Sequence, residues 1–235
     1  MSKSQVGLAG NAEEMAAFFD LRVADYERQM AQRVEDFAAF YESVAEAIPD
    51  TRNAPRVLDL GVGTGLELDR LFVRCPNARV TGIDISSGML DALSDKPWAE
   101  RVRRVHGSFL EIDLGEARYD HAVSVMALHH WLPHVKLDLY RQIRRALVVG
   151  GTFAYADYVA SEAESADYLA TYEAAGHDDR HRLHIDLPLH LDVELSLLRE
   201  AGFVDVRIPF RRAHCATFVS RAGGEGQAAV AGRSG

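Results

Sequence analysis

The chain has 235 residues and a formal net charge of −9, with 48% hydrophobic and 26% charged residues. A chain of that length and balance suits one domain with a single sizeable core, and no apolar run approaches the ~18 residues of a membrane-spanning helix. The negative charge disfavours nucleic acid as a partner, because the basic clusters at 101–104 and 141–145 are short and interrupted by apolar residues. Cys75 and Cys215 stand far apart with no pairing or zinc motif, and the first 15 residues lack an apolar segment followed by a cleavage site. The expectation is a cytoplasmic protein with buried thiols.

Asn11 followed three residues later by Glu14 resembles a capping box, and Met15, Phe18, Phe19 and Tyr26 fall near helical spacing, which predicts a first helix. Val34, Phe37, Tyr41, Val44 and Ile48 continue at steps of three and four and predict a second helix ending at Pro49 and Asp50. From residue 55 short β-branched runs alternate with helical ones, the mark of β-α units around a mainly parallel sheet. Strands are predicted at 56–60, 79–84, 101–107, 121–127 and 152–159, with helices at 65–74, 87–95 and 134–148, the last stopped by Gly150 and Gly151. A polar insertion over 160–190 precedes a helix ending at Gly202 and two strands, 204–210 and 213–221, close enough to pair antiparallel. The division expected is a helical lid over 1–50, a ligand-binding domain over 51–221 whose insertion shapes a substrate pocket, and a disordered tail over 222–235.

The stretch "VLDLGVGTGLEL", residues 57–68, joins the first strand to the next helix through three glycines, which brings backbone within contact distance of a ligand at the carboxyl edge of the sheet. A dinucleotide fingerprint would need its third glycine at position 66, which is Leu66, and a P-loop would need a Lys-Ser or Lys-Thr that is absent. Asp59 just ahead of the turn would repel a pyrophosphate and attract an ammonium or sulfonium. Asp84, ending the second strand, stands where an acid in such folds accepts both ribose hydroxyls. The pair describes a nucleoside with a cationic tail.

Here the chain resembles the class I S-adenosylmethionine-dependent methyltransferases, in the ordered blocks "VLDLGVGTG", "GIDISSGML", "YDHAVSVMALHHW" and "LVVGGTFAYADY". Within them it resembles the small-molecule methyltransferases and their carboxy-S-adenosylmethionine synthase relatives, which share a first helix like "FFDLRVADYE". The resemblance implies a Rossmann-like α/β fold: a mainly parallel seven-stranded sheet, an antiparallel terminal strand pair, and helices on both faces. It also implies S-adenosylmethionine as cofactor, with Asp59, Gly61 and Gly63 at the methionine moiety, Asp84 and Ile85 at the ribose and adenine, Val125 as a wall after strand four, and Tyr26 closing over the methionine end. Where the family often carries an acid before an aromatic residue after strand three, this chain has Ser108 and Phe109, and a serine accepts a hydrogen bond more weakly.

A sulfonium methyl is intrinsically reactive, so the acceptor side needs alignment, exclusion of water and, for a hydroxyl, a base. His129 and His130 follow strand four at the ligand edge, and Asp157 lies on strand five with the side-chain parity of Tyr155. The catalytic candidates are therefore His129, His130 and Asp157, with a small organic acceptor and O-methylation favoured. His177, His181 and His184 have helical spacing, but Gly176 and the charge mixture favour a lid that brings His184 and Asp186 to the acceptor, so no metal is assigned. Two rival readings stand beside this one. A carboxy-S-adenosylmethionine synthase-like enzyme would want arginines near the sulfonium, for which Arg22 and Arg182 are the candidates. A non-catalytic cofactor-binding module would form a homodimer through its N-terminal helices.

Overall fold

A computed structural model describes residues 13–49, 53–175 and 183–224. Asn11, Gly176, His177, His181, Arg182 and most of the expected tail lie outside the described residues. Helices α1 (Met15–Asp20), α2 (Val23–Arg33) and α3 (Phe37–Ala47) lead into β1 (Arg56–Leu60). The alternating units are α4 (Leu68–Arg74), β2 (Arg79–Asp84), α5 (Ser87–Leu93), β3 (Val102–His106), β4 (Tyr119–Val125), α6 (Pro133–Ala146) and β5 (Leu147–Tyr158). The chain finishes with α7 (Glu162–Ala174), α8 (Leu191–Glu200), β6 (Phe203–Arg212) and β7 (Cys215–Ala222). Among these described residues no helix is long and apolar enough to cross a membrane.

The seven strands lie in the order β3-β2-β1-β4-β5-β7-β6, parallel through β5 and antiparallel at β7 and β6. Strand order reverses between β1 and β4, the point where ligands bind outside the carboxyl ends of the strands. The two-residue period of a strand sends alternate residues into two cores. Leu58 and Leu60 join Phe153, Ile143 and Leu198 on the α6 and α8 face, whereas Val57 joins Val80, Val123, Phe40 and Leu71 on the α3 and α4 face. Asp59 shares the parity of Val57, which points its carboxylate toward α4.

Several boundaries differ from the sequence reading. The first predicted helix is two helices, interrupted at Leu21 and Arg22, and the next starts at Phe37, because Asp36 takes a left-handed φ of 54°. Of the predicted lid, α1 and α2 lie against α5, but α3 packs onto α4, β5 and β7 and buries Phe40 and Tyr41 in the core. β4 starts two residues early and stops at Val125, since Met126 turns to φ 56°. β5 starts at Leu147, five residues before the prediction, with Gly150 and Gly151 inside it rather than at a helix stop. The insertion holds α7, opened by a capping box in which Ser161 and Glu164 satisfy each other's backbone amides.

Candidate active site

After Leu60 the chain turns through Gly61 at φ 76° and Gly63 at φ 50°, backbone that an L side chain resists. A Cβ on Gly61 would lie 2.4 Å from the Ala127 Cβ, so packing alone demands glycine there. At Gly63 the nearest atom to a Cβ would be Gly61 O at 4.0 Å. That open space belongs to a first cavity of about 560 Å3, lined also by Gly61, Asp84, Ile85, Ser108 and Phe109 and roofed by Met15, Phe19 and Tyr26.

Asp84 is 7% exposed at the tip of β2. The Gly63 amide donates to Oδ2 at 2.7 Å and the Ser86 amide to Oδ1 at 2.8 Å. Burial raises its pKa, against the lowering effect of the amides of Ser86, Gly63 and Ile85. A carboxylate has about four acceptor positions, so each oxygen keeps a lone pair for a ligand. Asp20, ending α1, accepts the Ser86 hydroxyl at 2.6 Å and the Gly88 amide at 3.0 Å, tying the roof to the start of α5 beside Asp84.

Asp59 is fully buried beneath the turn rather than on the cavity wall. Neither of its oxygens meets a hydroxyl or amide donor, and Glu67 Oε1 is equally without one. The two carboxyls satisfy each other only by sharing a proton. Burial pushes Asp59 up to about 7 and raises Glu67 well above the usual carboxylate range, the charge of Asp59 adding to the effect on Glu67. The pair therefore shares a proton near neutrality.

A second cavity of about 540 Å3 adjoins the first and shares Phe19, Tyr26, Met126 and His130 with it. His129, Tyr158, His184 and Asp186 line its far side. Asp157 Oδ2 accepts the Leu128 amide at 2.8 Å and its Oδ1 meets His129 Nδ1 at 2.5 Å. Burial opposes a charged His129, but Asp157 and then Asp186 overcome it and raise the imidazole to about 10, so His129 is a cation at neutral pH. His130 goes the other way: burial and the neighbouring His129 lower its pKa and leave it neutral. Its Nδ1 meets the Ile185 carbonyl at 3.2 Å, and its buried Nε2 has no partner. Burial would raise Asp186, yet the imidazoles of His129 and His130 hold it far below the usual carboxylate range. Burial also lowers His184, to about 3, and its ring stacks on Phe18 at 3.5 Å between centroids.

The structure thus gathers Tyr26, Gly61, Gly63, Asp84, Ile85, Ser108, Phe109 and His130 on one cavity wall. Val125 points into the core at 5% exposure, and Met126 and Ala127 form the wall expected of it. Asp157 stands behind His129. Tyr155, its partner in parity, donates instead to buried Glu194 at 2.8 Å, alongside Tyr140 and Lys136. Sequence reasoning passed over Asp20 and Glu67, which touch the site residues from other elements and leave no spacing signal.

S-adenosylmethionine fits this chain's residues. The free lone pairs of Asp84 suit vicinal hydroxyls, the empty space at Gly63 suits a close backbone approach, and Ile85, Met89 and Phe109 offer an apolar bed for adenine. Comparison with known proteins agrees. Residues 57–151 match the family model described as a methyltransferase domain. The chain is 30% identical over 135 residues to N-demethylindolmycin N-methyltransferase of Streptomyces griseus, covering 55% of this chain and 56% of that protein. It therefore spans little more than half the length of that relative. It is 27% identical over 198 residues to an uncharacterised methyltransferase of Geobacillus sp., covering 83% of this chain and 88% of the other. In fold it is similar to human N-acetylserotonin methyltransferase in complex with S-adenosylmethionine, at a TM-score of 0.65 and 20% identity over 92% of this chain and 61% of that one. With the seven-stranded order and the glycine turn on which Asp84 closes, the chain has the fold of the class I S-adenosylmethionine-dependent methyltransferases and resembles that family in sequence over its methyltransferase-domain segment, residues 57–151.

Proposed function

We propose that the protein transfers the methyl group of S-adenosylmethionine to a small organic acceptor held in the second cavity, an oxygen acceptor ahead of nitrogen or carbon. The adjacency of the two cavities at Phe19, Tyr26, Met126 and His130, which line both, carries this reading, because it would hold methyl donor and acceptor side by side at those residues. When bound, the cofactor supplies an electrophilic methyl carbon. The protein's part is to align the acceptor with the bond being broken and to keep water out, and the aromatic roof of α1 and α2 suits both tasks. A hydroxyl acceptor sheds its proton toward the imidazole cluster, whose neutral member at the shared wall is His130. Asp157 orients His129, and Tyr26, whose hydroxyl burial keeps protonated, acts as a donor at the junction of the cavities.

Carboxy-S-adenosylmethionine synthesis is less well supported. Arg22 does line the second cavity, but Glu13 at 3.0 Å and the Phe18 carbonyl at 2.7 Å already engage it. The test is formation of S-adenosylhomocysteine with panels of hydroxy, amino and carbon acceptors. A protein that binds the cofactor yet gives no acceptor-dependent product refutes the proposal, and a copurified nucleoside with the mass of a carboxylated cofactor favours the rival.

A further inference from the structure

His129 and His130 come from the loop after β4 and Asp186 from the segment between α7 and α8, and one ligand atom from each lies within 4.8 Å of the others. Asp186 Oδ1 stands 3.3 Å from His129 Nε2, 3.2 Å from His130 Nδ1 and 3.8 Å from His184 Nε2. Three imidazoles thus surround one carboxylate oxygen.

The separations alone would suit hydrogen bonds, but the directions do not. Asp186 Oδ1 is buried and accepts none of adequate geometry, so the nitrogens aim beside the oxygen rather than at it. Adjacent ligands of a tetrahedral zinc ion, with bonds of ~2.0–2.1 Å, lie about 3.3–3.4 Å apart. Two of the observed separations meet that spacing. The surroundings also have the form of a metal site: a ligating histidine usually gives its other nitrogen to a carboxylate or a backbone carbonyl, and His129 Nδ1 is held by Asp157, itself fixed by the Leu128 and Tyr158 amides. His130 Nδ1 has the Ile185 carbonyl within 3.2 Å, a bond that an ion at this nitrogen would displace.

We propose that His129, His130 and Asp186 bind a divalent transition-metal ion at the wall of the second cavity, beside His184, the ion displacing the proton that His129 Nε2 carries in its absence. Imidazole and carboxylate donors without a thiolate suit zinc, cobalt or manganese rather than calcium or copper(I). Three protein ligands leave a position open toward the cavity, where an oxygen of the acceptor would complete the coordination. In that detail the inference rests on reading the second cavity as the acceptor site, and with the ion present it, rather than His130, polarises the acceptor.

Cobalt(II) chloride titrated into the full-length protein, after dialysis against chelator and with neither cofactor nor acceptor present, provides the test. The expected result is one equivalent bound with the visible absorption of four- or five-coordinate cobalt. Asp186→Asn should abolish that absorption, and Asp157→Asn should weaken binding about 10- to 100-fold by loosening His129. Binding of S-adenosylhomocysteine by each variant reports that its fold survives. Absence of stoichiometric cobalt binding by the unaltered protein overturns the proposal, as does an unchanged spectrum in folded Asp186→Asn. Either result leaves methyl transfer untouched, since no turnover enters the measurement.

Discussion

Replacing Asp84 by asparagine tests the cofactor site most directly. In the unaltered protein two of about four acceptor positions on Asp84 are taken by the Gly63 and Ser86 amides, leaving one per oxygen for the ribose hydroxyls. A hydrogen bond to a charged group contributes about 1.5–3 kcal/mol and a neutral one about 1 kcal/mol. Asparagine therefore forfeits roughly 0.5–2 kcal/mol per hydroxyl, or about 1–4 kcal/mol in all, which is a loss of about 5- to 1,000-fold in affinity. Its amide group also confronts a backbone N–H, so the glycine turn itself could loosen and weaken every ligand. Calorimetry with S-adenosylhomocysteine and its 2′-deoxy analogue separates the two effects. The unaltered protein should prefer the hydroxylated ligand, and Asp84→Asn should lose most of that preference. A variant that binds both ligands more weakly by the same factor, or binds S-adenosylhomocysteine normally, refutes the assignment.

Gly63→Ala puts a methyl group into the empty space before the turn at a left-handed φ of 50°; the expected outcome is a stability loss of about 1 kcal/mol and at least a tenfold fall in cofactor affinity by calorimetry. For the Asp59–Glu67 pair the raised pKa sets the sign: its stabilisation is complete below the unfolded carboxyl value and is lost as pH climbs through about 7. Glu67→Gln offers Asp59 an amide donor at every pH, so it should be more stable than the unaltered protein at pH ~8.5, by on the order of 1–4 kcal/mol, with the gap closing toward pH ~5.5. Thermal melts at both pH values decide it, and a variant less stable at each would contradict the shared proton. Lys136→Met leaves the buried Glu194 carboxylate with only the hydroxyls of Tyr140 and Tyr155; a loss of about 3–5 kcal/mol in chemical denaturation is expected, and a loss below ~1 kcal/mol would show the pair to be dispensable.

The parallel half of the fold was legible because its strands are short β-branched runs closed by acids and glycines, and Asp59 and Asp84 mark two strand ends by residue type alone. The bounds of β5 were not, since Gly150 and Gly151 read as a helix stop. In the sheet Gly151 instead fits a crowded position, where a Cβ would lie 2.8 Å from Asp120 O. α7 escaped notice because it has almost no apolar stripe, burying only Ser165 and Tyr172, although Ser161 and Glu164 carried its capping signal in plain view. At the site, a strand's parity fixes which way Asp59 points only once the neighbouring helices are known, so its burial against Glu67 could not be foreseen. The meeting of His129 and His130 with Asp186, more than fifty residues away, depends on the Leu187 amide donating to the His129 carbonyl at 2.6 Å. No local pattern records a tether of that kind.

The aromatic roof has a kinetic corollary. α1 and α2 supply walls to both cavities and are latched to the start of α5 by the carboxylate of Asp20, with the Lys96–Glu27 ion pair and the bond from the His184 amide to the Glu13 carbonyl as further ties. Releasing that latch would uncover the donor and acceptor chambers together, so spent nucleoside and methylated product should leave through one gate, and Asp20→Ala should quicken both departures in stopped-flow traces. Departure rates that respond separately would mean two doors.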